Sequence, residues 1–286
     1  MHLTFYGVRG SCPCSGPSYA TFGGATSCVL VETGSDVPII FDAGTGMRAL
    51  GSDLQPRLVE RGVPLHARVL LTHLHYDHLL GLPFFSPLED PGAVVEIYGP
   101  RQGETSLSDL INGAVTPPFF PVQMKEFACD VRLVEMADED FSTEDATVSS
   151  RWVEHTDPTL GYRVESAGLS VAYLPDHQAP LDRVTVSDGV RDLCQGVDVL
   201  IHDAQYDDEE FSRRSDWGHS TVAYAVRVAI EVGARQLVLF HHDPAHDDER
   251  ILALEAAARH LPGAEAIERI VAAREGMTID MEAMTR

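Results

Sequence analysis

The chain has 286 residues, 44% of them hydrophobic and 23% charged, which is enough for one substantial folded core. It has no run approaching the roughly 18 consecutive apolar residues that a membrane span needs. Its 21 basic and 44 acidic side chains leave a formal charge of −23, which argues against broad electrostatic capture of nucleic acid. A small anionic substrate stays open, because a bound metal ion reverses the local field.

The opening Met1-His2-Leu3-Thr4-Phe5-Tyr6 lacks a basic segment followed by an apolar one, so a cytoplasmic protein is expected. Extended apolar runs predict strands at 3–8, 28–32, 39–42, 68–72 and 94–98, punctuated by Gly23-Gly24 and Gly44-Thr45-Gly46. Residues 47–61 carry apolar side chains at helical spacing and stop at Gly62. The segment 105–127 contains Thr116-Pro117-Pro118-Phe119-Phe120-Pro121, where prolines oppose regular structure and two phenylalanines need cover. It reads as an arm or lid over a site, or as a loop tucked onto the core.

Further strands are predicted at 131–136, 148–154, 161–165, 170–174, 198–202 and 236–240, with a short last one at 277–281. Helices are predicted at 220–232, stopped by Gly233, and at 247–260, stopped by Pro262. Many strands in each half with helices between them suggest two mixed sheets covered outside by helices, in one domain over 1–286. Cysteines 12, 14, 28, 129 and 194 are odd in number and scattered, which is no disulfide framework. The close pair Cys12-Pro13-Cys14 reads first as reduced thiols in a loop, with a metal or redox role as its rival.

The sharpest signal is Leu70-Leu71-Thr72-His73-Leu74-His75-Tyr76-Asp77-His78. An apolar strand delivers four potential ligands within six positions. Alternation along an extended chain sends His73 and His75 to one side, and a turn then brings Asp77 and His78 round. Three imidazoles and a carboxylate this close suit zinc or another divalent transition metal.

This HxHxDH run resembles the signature of the metallo-β-lactamase superfamily, which takes its other ligands from separate strand ends. Trp152-Val153-Glu154-His155, Ala172-Tyr173-Leu174-Pro175-Asp176-His177 and Leu237-Val238-Leu239-Phe240-His241-His242-Asp243 offer them in family order. The resemblance implies a four-layer αββα sandwich of two mixed sheets flanked by helices. It also implies two divalent ions, zinc first with manganese or iron as alternatives. His73, His75 and His155 would hold one ion, Asp77, His78 and His241 the other, and Asp176 would bridge them. His242 competes with His241, His177 reads as a neighbour, and Asp42 is expected to support the ligand loop.

Val197-Asp198-Val199-Leu200-Ile201-His202-Asp203-Ala204 and Gly218-His219-Ser220-Thr221 look like paired motifs of the phosphodiesterase branch, which includes tRNA 3′-processing endonucleases. By that resemblance Asp203, where glutamate is usual, orients His219 as a general acid, and Asp77 also counts among the catalytic groups. The rival reading makes His219 part of a helix start beside Ser220 and Thr221. Hydrolysis of a phosphodiester by a metal-activated water follows.

The endonucleases carry a protruding glycine-rich basic arm, whereas 105–127 has one basic residue, Lys125. The expected substrate is therefore small, a cyclic nucleotide or another cyclic phosphate, with no stable nucleic-acid complex and no membrane partner. A homodimer would match the habit of relatives. Alternatives are hydrolysis of a carboxylic ester, lactone or thioester, tRNA 3′ processing, and last a metal-binding module without turnover. β-Lactam cleavage is less attractive, since Asp176 stands where several lactam-cleaving members carry cysteine. Tyr6-Gly7-Val8-Arg9-Gly10-Ser11 resembles a bacterial group near the cyclic phosphodiesterases, with Arg9 read either as a phosphate contact or as a structural ion pair.

Overall fold

A computed structural model describes residues 1–285. The short strand Cys28–Glu32 shows how the layers arise from sequence. Its even pleat turns Val29 and Val31 into a core shared by two sheets, while Cys28 and Leu30 face a second core under helices. Burial on both faces is what makes such a strand read as a continuous apolar run.

The first sheet contains β1 (His2–Gly7), β2 (Cys28–Glu32), β3 (Ile39–Phe41), β4 (His66–Leu70), β5 (Val94–Pro100) and β6 (Asp130–Met136). The second contains β7 (Glu139–Ser142), β8 (Thr147–Val153), β9 (Thr159–Ser166), β10 (Leu169–Leu174), β11 (Val199–Asp203), β12 (Gln236–Phe240) and β13 (Arg269–Ala272). The last strand, β14 (Thr278–Asp280), returns to the first sheet and pairs antiparallel with β1, giving the order β14-β1-β2-β3-β4-β5-β6. The other sheet runs β13-β12-β11-β10-β9-β8-β7. Each is mixed: β3 to β6 are parallel neighbours, as are β10 to β13, and the remaining pairs are antiparallel.

Among the described residues seven α-helices flank the sandwich: α1 (Met47–Arg61), α2 (Tyr76–Leu79), α3 (Leu107–Ala114), α4 (Asp188–Cys194), α5 (Asp208–Arg213), α6 (Val222–Val232) and α7 (Asp248–Ala258). Leu50, Leu107 and Ile111 of α1 and α3 pack on the outer face of the first sheet, and Val190, Val226 and Ile251 of α4, α6 and α7 on that of the second. Between the sheets Phe41 stacks on Tyr173 with ring centres 4.6 Å apart. This is the expected four-layer αββα sandwich. Among the described residues no helix is long and apolar enough to cross a membrane.

Two local readings that the sequence left open are sharpened by the structure. Residues 105–127 are not irregular throughout, because α3 forms before the prolines begin. Ser106 caps it by accepting a hydrogen bond from the Asp109 amide. The rest of the segment packs Val115 and Met124 into the outer core, and Phe120 meets Phe84 edge-on at 5.6 Å. Of the two readings of Arg9 the structure supports the ion pair: Arg9 is fully buried, lies 3.9 Å from Asp248, and donates to the carbonyls of Gly23, Asp243 and His246. It is a clamp between distant loops.

Candidate metal centre

The site lies where strands running in one direction end. His73 follows β4, His155 follows β8, Asp176 follows β10, Asp203 ends β11 and His241 follows β12. Asp42 and His241, each the first residue beyond its strand, have φ of 56° and 60°. That left-handed region is uncommon for side chains larger than glycine and has to be held by its surroundings. Asp42 is held well: it accepts from the Thr72 amide at 2.8 Å, His78 Nδ1 at 2.7 Å and the Tyr173 hydroxyl at 2.9 Å.

Seven side chains predicted as ligands converge into two groups. In the first, His73 Nε2 lies 2.8 Å from His75 Nδ1, and His155 Nε2 lies 3.3 Å from the same atom. Oδ2 of Asp176 is 3.7 Å from both His73 Nε2 and His155 Nε2. In the second, His78 Nε2 and His241 Nε2 are 3.2 and 3.1 Å from Asp77 Oδ2, and 3.0 and 3.1 Å from Asp176 Oδ1. Asp176 thus turns one oxygen to each group. His242 points away, its Nε2 donating to the Ala273 carbonyl at 2.9 Å. His177 does too, with Nδ1 2.9 Å from His202 Nε2.

Whether these groups suit cations can be tested on their hydrogen bonds. Each histidine has an outward nitrogen engaged by an acceptor: His73 by Thr72 Oγ1, His75 by Asp157, His78 by Asp42, His155 by the Gly218 carbonyl and His241 by Gln205 Oε1. With protons assigned to those nitrogens, the inner ones present lone pairs to one another and to carboxylate oxygens. Such an arrangement repels itself unless positive charge lies between its members. Asp176 Oδ1 agrees: it is buried and has no hydrogen-bond partner despite two imidazole nitrogens near 3 Å.

Electrostatics point the same way. Burial pulls the His73 and His155 pKa values down, so both favour the neutral form that ligates. Burial pushes the Asp77 and Asp176 carboxyls up, but the surrounding histidines outweigh it and hold both below the usual range. His78 is the exception: burial opposes its charge, yet Asp176, Asp77 and Asp42 raise it. Three carboxylates around one imidazole call for a cation, which a proton or a metal can provide. The donor set of imidazoles and carboxylates fits zinc, manganese or iron.

The Asp203–His219 pair forms despite the shorter acid. Nδ1 of His219 donates to Asp203 Oδ2 at 2.9 Å and lies 3.8 Å from Asp176 Oδ2. The His219 ring stacks on His241 with centres 5.0 Å apart. Burial lowers its proton affinity, but Asp203, Asp176 and Asp77 together raise it. The sequence did not single out Gln205, Asp157, Gly10 or Gly218. A Cβ at Gly10 would collide with the His241 ring and one at Gly218 with the His155 ring. The dipeptide Gly218-His219 and the place of Gln205 two residues beyond β11 were the available signals.

The family described as "Beta-lactamase superfamily domain" matches residues 38–242. The chain belongs to the metallo-β-lactamase superfamily. It is a metal-dependent hydrolase. A "Ribonuclease Z" of Limosilactobacillus fermentum is 28% identical over 250 residues, covering 71% of this chain and 76% of the relative. Among solved structures, the metallo-beta-lactamase fold protein YhfI from Bacillus subtilis superposes with a TM-score of 0.69 at 18% identity, covering 97% of this chain and 98% of that one. Human tRNase Z, short form, gives 0.66 at 23% identity, covering 98% and 99%. At those identities the structural likenesses speak for the superfamily fold alone.

Proposed function

We propose that this superfamily member hydrolyses a phosphodiester, and the observation that carries the reading is the Asp203–His219 pair standing beside Asp176. His73, His75 and His155 would hold one divalent ion, Asp77, His78 and His241 a second, with Asp176 serving both; zinc is the first choice. When bound, such ions supply positive charge to the phosphoryl oxygens and make water a better nucleophile near neutral pH. The chain's own part is orientation and proton transfer. Asp203 occupies Nδ1 of His219, so Nε2 is the position from which a proton passes to the departing oxygen, a contribution typically of about 10²–10⁴-fold. The buried bonds to Asp42 and Gln205 keep His78 and His241 from turning.

The relatives bear on the substrate. Similarity to curated relatives named ribonuclease Z supports an RNA phosphodiester, hence tRNA 3′ processing, better than the small cyclic diester that charge alone suggests. The small diester keeps one specific support: the net charge of −23 and a 105–127 segment with Lys125 as its single basic residue. A panel run with metal-replete protein separates them: 3′-extended precursor tRNA, cyclic nucleotides, aryl phosphodiesters, lactones and thioesters. Cleavage of the precursor at its 3′ extension supports the RNA reading, and turnover confined to cyclic nucleotides supports the second. Turnover of lactones or thioesters alone overturns both.

A further inference from the structure

The chain has two tryptophans, one near the end of β8 and one in the loop between α5 and α6, and a histidine of the site follows closely after each. Trp152 precedes His155 by three residues and is 39% exposed; Trp217 precedes His219 by two and is 58% exposed. The two segments are joined, since His155 Nδ1 donates to the Gly218 carbonyl at 2.7 Å. Indole is the largest amphipathic ring available to a protein, and its exposure beside a site leaves an apolar face without cover. Phe5, Phe41, Tyr162 and Tyr173 are buried between the sheets, while Tyr76, Phe84 and Phe119 are exposed as the two indoles are.

Each ring is placed against something. Trp152 lines a cavity of about 580 Å³ together with His155, Glu154, Asp157 and Arg101. Arg101 donates to the Glu104 carbonyl at 3.2 Å, and among the described residues no carboxylate lies within ion-pair distance of it. Trp217 is steadied by Arg214, whose guanidinium lies 5.2 Å from the indole centre. Arg214 is itself held by Asp243 at 3.1 Å and lies over Tyr206 at 5.4 Å.

On the reading that the substrate is a phosphodiester, we propose that Trp152 and Trp217 are stacking surfaces for the nucleobases flanking the scissile bond, with Arg101 placed for a neighbouring phosphate. The charge balance drives the choice of occupant. A chain of net charge −23, with Glu154 and Asp157 bordering the cavity, is poorly built to draw affinity from phosphates. Every base has a π-face, so stacking grips single-stranded nucleotides without cations and without sequence preference. This reconciles an acidic surface with a nucleotide substrate.

Tryptophan fluorescence of the metal-replete protein reads binding directly. Adenosine monophosphate should quench it saturably and inorganic phosphate should not; equal responses to the two overturn the proposal. Trp152→Phe and Trp217→Phe each leave one fluorophore, and the remaining one should still be quenched. In kinetics, Trp152→Ala and Trp217→Ala should lower the ratio of kcat/KM for a dinucleotide to that for a base-free glycerophosphodiester by about 5- to 100-fold, while the Phe variants restore most of it. A ratio unmoved in both Ala variants overturns the stacking role even if diesters are cleaved. If no diester is cleaved, the proposed reaction fails, and quenching by the nucleotide still decides whether the rings hold bases.

Discussion

The two ligand groups that meet at Asp176 are built differently. Asp77, His78 and His241 are all buried, and their supports are the buried Asp42, Tyr173 and Gln205 and the Ser11 amide, which donates to Asp77 at 2.6 Å. The group of His73, His75 and His155 opens to solvent: the His75 side chain is 43% exposed, and its support, Asp157, is 57% exposed. Hydrogen bonds in a dry interior hold geometry more firmly than those shared with water. The buried group is accordingly the fixed half of the centre, and the open one is the half a substrate approaches.

The comparison breaks first at the shared carboxylate. Asp176→Ala should release metal from both groups and abolish most activity, read by elemental analysis and turnover; a metal-replete, active variant would refute the bridging role. Next, His219→Ala should slow diesters with poor leaving groups by about 10²–10⁴-fold and activated aryl diesters far less. Equal losses would make His219 structural. Asp42→Asn should weaken metal affinity in the buried group by about 10–100-fold and cost roughly 1–3 kcal/mol of stability, since a donor amide faces existing donors. Asp157→Asn should change affinity less, by about tenfold at most, and leave the denaturation midpoint in place. A larger effect at Asp157 than at Asp42 inverts the assignment of fixed and open halves.

A further prediction concerns pH. Burial lowers His202, helped by nearby His177, and burial lowers His242, each to about 3. Both are neutral in the fold and protonate near 6.5 once unfolded. The unfolded chain therefore binds more protons as pH falls from about 6.5 toward 3, and stability declines across that window. Urea midpoints of the metal-free protein at pH 7 and 5 measure it, and His242→Gln should flatten the slope.

Most of the fold was legible because its strands are short, apolar and closed by glycine or polar residues; β2, β12 and α1 match their predicted bounds. What stayed hidden had weak pattern. Strand β7, Glu-Asp-Phe-Ser, is an acidic edge, and β13, Arg-Ile-Val-Ala, is an edge of four residues. Short α4 and α5 rest on tertiary packing more than on periodicity. The ligand residues were readable because imidazoles at strand ends are conspicuous. Their supports were not, since Gln205, Asp157 and a backbone carbonyl become partners only when distant loops meet. Arg9 shows the converse: a cation in a glycine loop suggests an anion contact, and only packing shows that the anion is Asp248 of the chain itself and that carbonyls take its hydrogen bonds.

The clamp of Arg9 has a bearing on how the protein is made. Gly10 donates to the His242 carbonyl at 3.0 Å and Ser11 reaches Asp77, so the buried ligand group joins three segments far apart in sequence. On a ribosome, His73 and His75 emerge long before His241 does. The buried pocket then has no third wall, and a newly made chain can acquire its full metal complement only after the segment carrying His241 has been made.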